Sequence, residues 1–242
     1  FTHTFAMFAS GRTWEQVRNS ICYPGINVKV IGSHGGLSVG EDGATHQACE
    51  DFALMRVIPG MVVLNPCDGN EMRQAVEALI NYEGPAYMRL GRLPVETVTD
   101  AVEGYKFEIG KGVQMKDGKD VTIIANGGNV QMALKAADIL AADGISARVI
   151  NMHTIKPLDG EIVKKAALET GAIVTSEEHQ INGGLGDAVA AYCAENCPVP
   201  VIRHGVEDDF GRSGKAPLVL EAYGITAEVI AEKAKKAISL KK

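Results

Sequence analysis

An α/β fold is predicted, with two α/β domains, each a mostly parallel sheet flanked by helices. Short β-branched strands alternate with longer helical segments throughout the chain. Proline and glycine punctuate the boundaries between them. The 242 residues are 46% hydrophobic and include 27 glycines, enough to build and turn two such cores.

In chain order, helix-period apolar spacing marks Gly11 to Ile21, and the β-branched run Val28 to Ile31, bounded by Pro24-Gly25 and Gly32, marks a strand. A glycine-rich loop follows, then a helix from Cys49 to Arg56, a strand from Met61 to Leu64, a helix from Gly69 to Tyr82 and a strand from Ala86 to Leu90. Asp68 with Glu71 three residues on is a capping box for the Gly69 helix, and Pro66 stops the strand before it. Residues 93 to 112 are richer in polar residues and glycine and read as a linker. The second part repeats the rhythm, with strands Val121 to Ala125, Ala147 to Ile150, Ala172 to Thr175 and Val199 to Arg203. Its helices are Val130 to Ala142, Glu161 to Glu169, Gly186 to Ala194 and two more from Leu218 and Ala227. The basic tail Lys233 to Lys242 suits a helix C-terminus.

A net charge of −6 argues against nucleic acid or an anionic membrane as partner, and no apolar run is long enough to span a bilayer. Five cysteines without a CxxC are expected as reduced thiols of a cytoplasmic protein, Cys193 and Cys197 being buried neighbours on one helix face. Gly184-Leu185-Gly186 and Gly110-Lys111-Gly112 lack the third glycine of a dinucleotide fingerprint. His153 reads as a hydrogen-bonded strand-end histidine, and Glu177, Glu178 and His179 as a solvated acidic turn.

The segment Ser33 to Gln47, SHGGLSVGEDGATHQ, carries the chemistry. His34, Glu41, Asp42 and His46 are titratable groups in a loop at the end of a strand, where α/β proteins place their sites. Their spacing does not suit a metal. Taken singly, each is also what a solvated turn would contain.

The GEDGATHQ motif with its upstream SH, the opening TFAMFASGRTWEQVRNS and the later PAYMRLGR together resemble transketolase. The resemblance implies a partial pyrimidine-binding (Pyr) domain at residues 1–92, a linker at 93–112 and a transketolase-like C-terminal domain at 113–242. The pyrophosphate-binding (PP) domain and the first part of the Pyr domain are outside this chain, which opens on Phe1 directly within a motif. The family's activating glutamate is expected in the part before it.

The implied reaction is thiamine diphosphate-dependent transfer of a two-carbon ketol unit from a ketose phosphate to an aldose phosphate. By the same resemblance, Phe5 and Phe8 enclose the cofactor's pyrimidine ring, with Gly11 and Arg12 where many relatives have a tyrosine nearby. Asp42 accepts a donor-sugar hydroxyl, His46 is the catalytic histidine beside the reacting carbonyl, and His34 and Arg92 hold the substrate phosphate. Arg89, three residues before Arg92, is expected on the opposite face. No metal ligand is expected here. The diphosphate and a divalent metal, magnesium in this reading, would be held by an N-terminal PP-domain partner, in a dimer of heterodimers. Rival readings are 1-deoxyxylulose-5-phosphate synthase, a 2-oxo acid dehydrogenase β-type subunit, and a non-catalytic assembly module.

Overall fold

The structure is a computed structural model that describes residues 1–241. Its first strand, β1 (Thr2–Phe5), leads into a helical stretch in which π-helical turns at Phe8–Arg12 and Val17–Cys22 flank α1 (Trp14–Gln16). Then come β2 (Lys29–Ser33), a 3₁₀ turn at Leu37–Asp42, α2 (Asp51–Arg56), β3 (Val62–Leu64), α3 (Gly69–Asn81) and β4 (Ala86–Arg89). The capping box is formed: the Asp68 carboxylate accepts from the Glu71 amide at 2.9 Å. Its other oxygen accepts from the Val98 and Thr99 amides, both at 2.9 Å, tying the segment after β4 to the start of α3.

The second part runs β5 (Val113–Lys116), β6 (Val121–Ala125), α4 (Asn129–Ala142), β7 (Ala147–Asn151), β8 (Thr154–Lys156) and α5 (Gly160–Thr170). It ends with β9 (Ile173–Gln180), α6 (Leu185–Asn196), β10 (Val201–Val206), α7 (Ala216–Ala222) and α8 (Ala227–Ser239). The basic tail expected to close the last helix runs past its end, and Lys242 lies outside the described residues.

Two five-stranded sheets result, in the orders β1-β2-β4-β3-β8 and β10-β9-β6-β7-β5. All pairings are parallel except β3 with β8 and β5 with β7. The strand β8 comes from the later half of the chain yet completes the first sheet.

Both sheets are apolar on both faces, as parallel sheets between helices must be. In the second, Val121 and Ile123 pack with Ala133, Ala137 and Leu140 of α4 and Ile230 and Ala234 of α8. The next residue, Ile124, points the other way with Ile150 and Ile173, against Val163 of α5 and Val189 of α6. In the first, Val30, Val63 and Tyr87 meet Phe52 and Met55 of α2, while Ile31, Leu64 and Met88 meet Ala75 and Leu79 of α3.

The acidic turn expected at Glu177 to His179 is instead strand. All three residues lie in β9, with Glu177 and His179 fully buried. Each of these polar side chains has a non-local partner that local sequence does not reveal. Glu177 caps α6 by accepting from the Leu185 and Gly186 amides at 2.8 Å, and His179 Nε2 accepts from the Ala53 amide at 3.3 Å. His153 is buried and bonded to the Thr154 hydroxyl, as expected for a strand-end histidine. All five cysteines are unpaired and buried, Cys193 and Cys197 in one core cluster.

Candidate functional site

Strands β1, β2 and β4 are adjacent and parallel, so their C-terminal ends open on the same edge of the first sheet. The register pairs Phe5 with Ser33 and Gly32 with Arg89, which sets Phe5 beside His34 and brings the segment after β4 alongside the loop after β2. His34 itself has φ of 57°, a left-handed conformation uncommon for a non-glycine residue, and it turns the chain sharply out of β2.

That turn lays the His34 ring flat on Phe5, with centroids 4.1 Å apart and planes 11° from parallel. Phe8 lies parallel-displaced from Phe5 at 6.1 Å. His46, from the far end of the same loop, meets both rings edge-on at 6.1 and 5.5 Å. All four rings are half-buried, so they form a partly open aromatic surface. Arg12 places its guanidinium 5.8 Å from the Phe8 ring centre.

Beside this surface, Arg92 donates to the Val39 carbonyl and sits 3.4 Å from the Glu41 carboxylate and 4.0 Å from that of Asp42. All three side chains are open to solvent, leaving acceptor and donor valences free for a ligand. The His34 pKa is lowered, by burial first and by the nearby Arg92 charge second, so the imidazole is neutral at neutral pH. The six residues singled out in the sequence, Phe5, Phe8, His34, Asp42, His46 and Arg92, therefore share one rim.

Sequence reasoning missed what lies beneath the rim. Gly35 and Gly36 run directly over Arg89, whose Nε would lie 2.0 Å from a Cβ at Gly35. Gly36, at φ of 84°, would clash there with both Arg89 and Glu178. Arg89 is buried, paired with Asp51 at 3.3 Å, and donates to the Glu178 carbonyl at 2.7 Å. Tyr87 donates to the other Asp51 oxygen at 2.7 Å. The Glu178 carboxylate accepts from the Ser38 amide, and its pKa is raised because burial outweighs the Arg89 charge. A strand of the second half thus supports the loop. Two adjacent glycines two positions past a strand are the signal that something bulky lies below.

Among the described residues no group of three or more His, Cys, Asp or Glu side chains is disposed to hold a metal ion. The aromatic surface suits a flat heterocycle. A cavity of about 350 Å³ lies between the two halves, lined by Asn65, Asp68, Arg89, Asn126 and Glu178 and by none of the six rim residues. No helix among the described residues is long and apolar enough to cross a membrane.

Residues 1–96 match the family profile "Transketolase, pyrimidine binding domain", and residues 110–230 match "Transketolase, C-terminal domain". A protein of Methanocaldococcus jannaschii named as a transketolase C-terminal section is 48% identical over 234 residues, covering 96% of this chain and 73% of that protein. A 6-deoxy-6-sulfo-D-fructose transketolase subunit of a Clostridium species is 45% identical, covering 95% and 71%. A solved split-gene transketolase, described as an inactive β4 tetramer, superposes with a TM-score of 0.93 at 47% identity, covering 99% of this chain and 76% of that one. With both domains matched and relatives this similar along nearly their whole shared length, the chain belongs to the transketolase family, as a C-terminal section of the enzyme.

Proposed function

We propose that this chain is the C-terminal subunit of a split transketolase that moves a two-carbon ketol unit from a ketose phosphate to an aldose phosphate. The observation that carries the reading is the single rim on which an aromatic surface, two histidines, an exposed carboxylate and an exposed arginine converge. The domain division follows the same reading: a partial Pyr domain at 1–92, a linker, and the C-terminal domain from 113.

The family's domains imply thiamine diphosphate, which when bound supplies a nucleophilic carbon able to open the bond beside a ketose carbonyl. Phe5 and Phe8 would hold its pyrimidine ring. Among the described residues no cluster of His, Cys, Asp or Glu is disposed to hold a metal ion, and a PP-domain subunit is assigned the diphosphate and metal. A split-gene relative described as an inactive β4 tetramer and a relative named as a C-terminal section support an N-terminal partner, with which this chain is assigned to a dimer of heterodimers.

On the substrate side, Asp42 accepts from a donor hydroxyl, and its exposed, acceptor-only carboxylate suits the choice of one configuration. His46 donates to the reacting oxygen as charge develops there. Arg92 binds phosphate through its planar fork, with the neutral His34 imidazole as a second donor.

The test is turnover of a ketose phosphate with an aldose phosphate acceptor by this chain alone and with its PP-domain partner. Activity is expected only with the partner. Activity of the isolated chain would refute the division of labour. A second reading has support of its own: the 1-deoxy-D-xylulose-5-phosphate synthase of Heliobacterium modesticaldum is 38% identical over 226 residues, though this chain spans only 35% of it. Condensation of pyruvate with glyceraldehyde 3-phosphate in place of ketol transfer would move the assignment there.

A further inference from the structure

The last residue of the GEDGATHQ motif is buried, and the rim geometry runs through it. Gln47 is only 2% exposed. Its Nε2 lies within donating distance of three carbonyls: Leu37 at 3.2 Å, Gly40 at 3.3 Å and Arg212 at 3.0 Å. Two amide protons are shared among three acceptors, two on the site loop and one on the segment between β10 and α7. The Gln47 main chain serves the same turn, since the Gly43 carbonyl accepts from the His46 amide at 3.0 Å and the Gln47 amide at 3.1 Å.

Both ends of the turn that carries Asp42 are therefore tied to one residue. Gly40 and Gly43 each hold φ of 75°, and Asp42 lies between them. His46 is the covalent neighbour on the other side. Close contacts from the second half fix the turn from below: a Cβ at Gly43 would lie 2.3 Å from the Ser213 hydroxyl, and one at Gly40 would lie 3.1 Å from the Gly214 carbonyl. Among the described residues the buried Gln47 Oε1 has no hydrogen-bond partner, a cost set against the placement of the donor end.

We infer that Gln47 is a positioning residue for Asp42 and His46, and that it couples donor-sugar selection to the Arg212 segment of the C-terminal domain. The inference rests on the substrate roles proposed above for Asp42 and His46. Without the Nε2 donor, the carbonyls of Leu37, Gly40 and Arg212 lose a common anchor. The turn then relaxes away from the C-terminal domain, and the Asp42 carboxylate no longer meets the donor hydroxyl at hydrogen-bond distance.

Two variants approach this contact from opposite sides. Gln47→Met keeps the volume and removes the donor. Gly211→Ala leaves the sequence of the site loop unchanged, but its new methyl would press on the Gln47 amide and lie 3.0 Å from Leu37 Cδ2, and Gly211 does not have the positive φ that would strain an alanine. The readout, in the enzyme assembled with its partner, is the ratio of kcat/KM for fructose 6-phosphate to that for hydroxypyruvate, which lacks the selected hydroxyl. Asp42→Ala is the reference, and thermal midpoints are recorded for every variant.

Both variants are expected to lower the ratio in the same direction as Asp42→Ala, by roughly 10- to 100-fold, the scale of a sub-ångström to 1 Å misplacement. A merely structural role would lower the thermal midpoint and leave the ratio alone. If Asp42→Ala collapses the ratio while Gln47→Met and Gly211→Ala keep it at the wild-type value, the positioning role is overturned and the substrate reading stands. If Asp42→Ala itself leaves the ratio unchanged, the substrate reading fails and takes this inference with it. For any variant too unstable to assay, hydrogen exchange of the Gly43 and His46 amides in the remaining variant decides. Protection equal to wild type counts against the inference.

Discussion

Replacing Arg89 by methionine tests the foundation beneath the site. Arg89 and Asp51 have side-chain exposures of 3% and 0%, so the pair is cut off from water. Methionine keeps most of the apolar stem but leaves Asp51 as a buried carboxylate held only by the Tyr87 hydroxyl. Removing one member of a buried pair typically costs about 3–5 kcal/mol, because the other charge stays behind. The Glu178 carbonyl also loses its donor at 2.7 Å, which places the expected loss in the upper part of that range. For a chain of this size that corresponds to a thermal midpoint lowered by roughly 6–20 °C.

The assay is urea denaturation followed by the fluorescence of Trp14, the only tryptophan, whose indole donates to the Leu54 carbonyl of α2 at 2.8 Å. It reports on the helix whose first residue is Asp51. In the double variant Arg89→Met/Asp51→Leu no charge is stranded, so part of the loss should return. A single-variant loss below about 1 kcal/mol, or a double variant as costly as the sum of both singles, would refute the reasoning.

Four further outcomes are expected. Arg92→Ala should raise KM for ketose phosphates about 10- to 100-fold, the scale of a lost charged hydrogen bond, and leave hydroxypyruvate unaffected; equal losses would remove Arg92 from the phosphate end. His46→Ala should lower kcat about 10²-fold for every donor, and wild-type turnover would end its catalytic assignment. Burial holds His204 at about 4, with its ring nitrogens engaged by Ser176 at 2.9 Å and the Gly224 carbonyl at 2.8 Å. The fold therefore favours the neutral ring: its contribution, on the order of 3 kcal/mol, is complete above pH 6.5 and is lost as the pH falls from there toward 4. Urea midpoints of wild type and His204→Asn should converge over that window, and a pH-independent gap would contradict the assignment. Asp68→Ala should cost about 2 kcal/mol or more and speed hydrogen exchange at the Glu71, Val98 and Thr99 amides, which otherwise share its carboxylate; unchanged exchange at Val98 and Thr99 would separate the cap from the linker.

Local signals made much of this fold legible. The strand Val121–Ala125 has the bounds its β-branched run suggests, and Asp68 caps α3 as its spacing with Glu71 predicts. The loop Ser33–Gln47 could be singled out because its residue types are chemical and its glycines are dense. Elements that depend on distant partners were not legible. The strand Thr2–Phe5 alternates threonine with histidine and phenylalanine and shows no apolar run; it is strand because it pairs with β2. Three residues at Thr154–Lys156 become strand only against β3. Glu177, Glu178 and His179 look hydrophilic in sequence. Glu177 and His179 are buried and Glu178 half-buried because α6 amides, the Ser38 amide and α2 meet them from elsewhere in the chain. Gln47 passed unnoticed for the same reason: its third acceptor, Arg212, is 165 residues away.

The pairing of β8 with β3 also has a temporal side. During synthesis, the outer edge of Val62–Leu64 has no mate until Thr154–Lys156 leaves the ribosome, roughly 90 residues later. At about 5–20 residues per second that is an interval of roughly 5–20 s. Throughout it, the nascent chain presents a short, wholly apolar strand edge, the kind of template on which neighbouring chains stack. Slow decoding between these two strands would lengthen that exposure, and a chaperone that shields strand edges would matter most there. Chains stalled before residue 154 are the species expected to aggregate first.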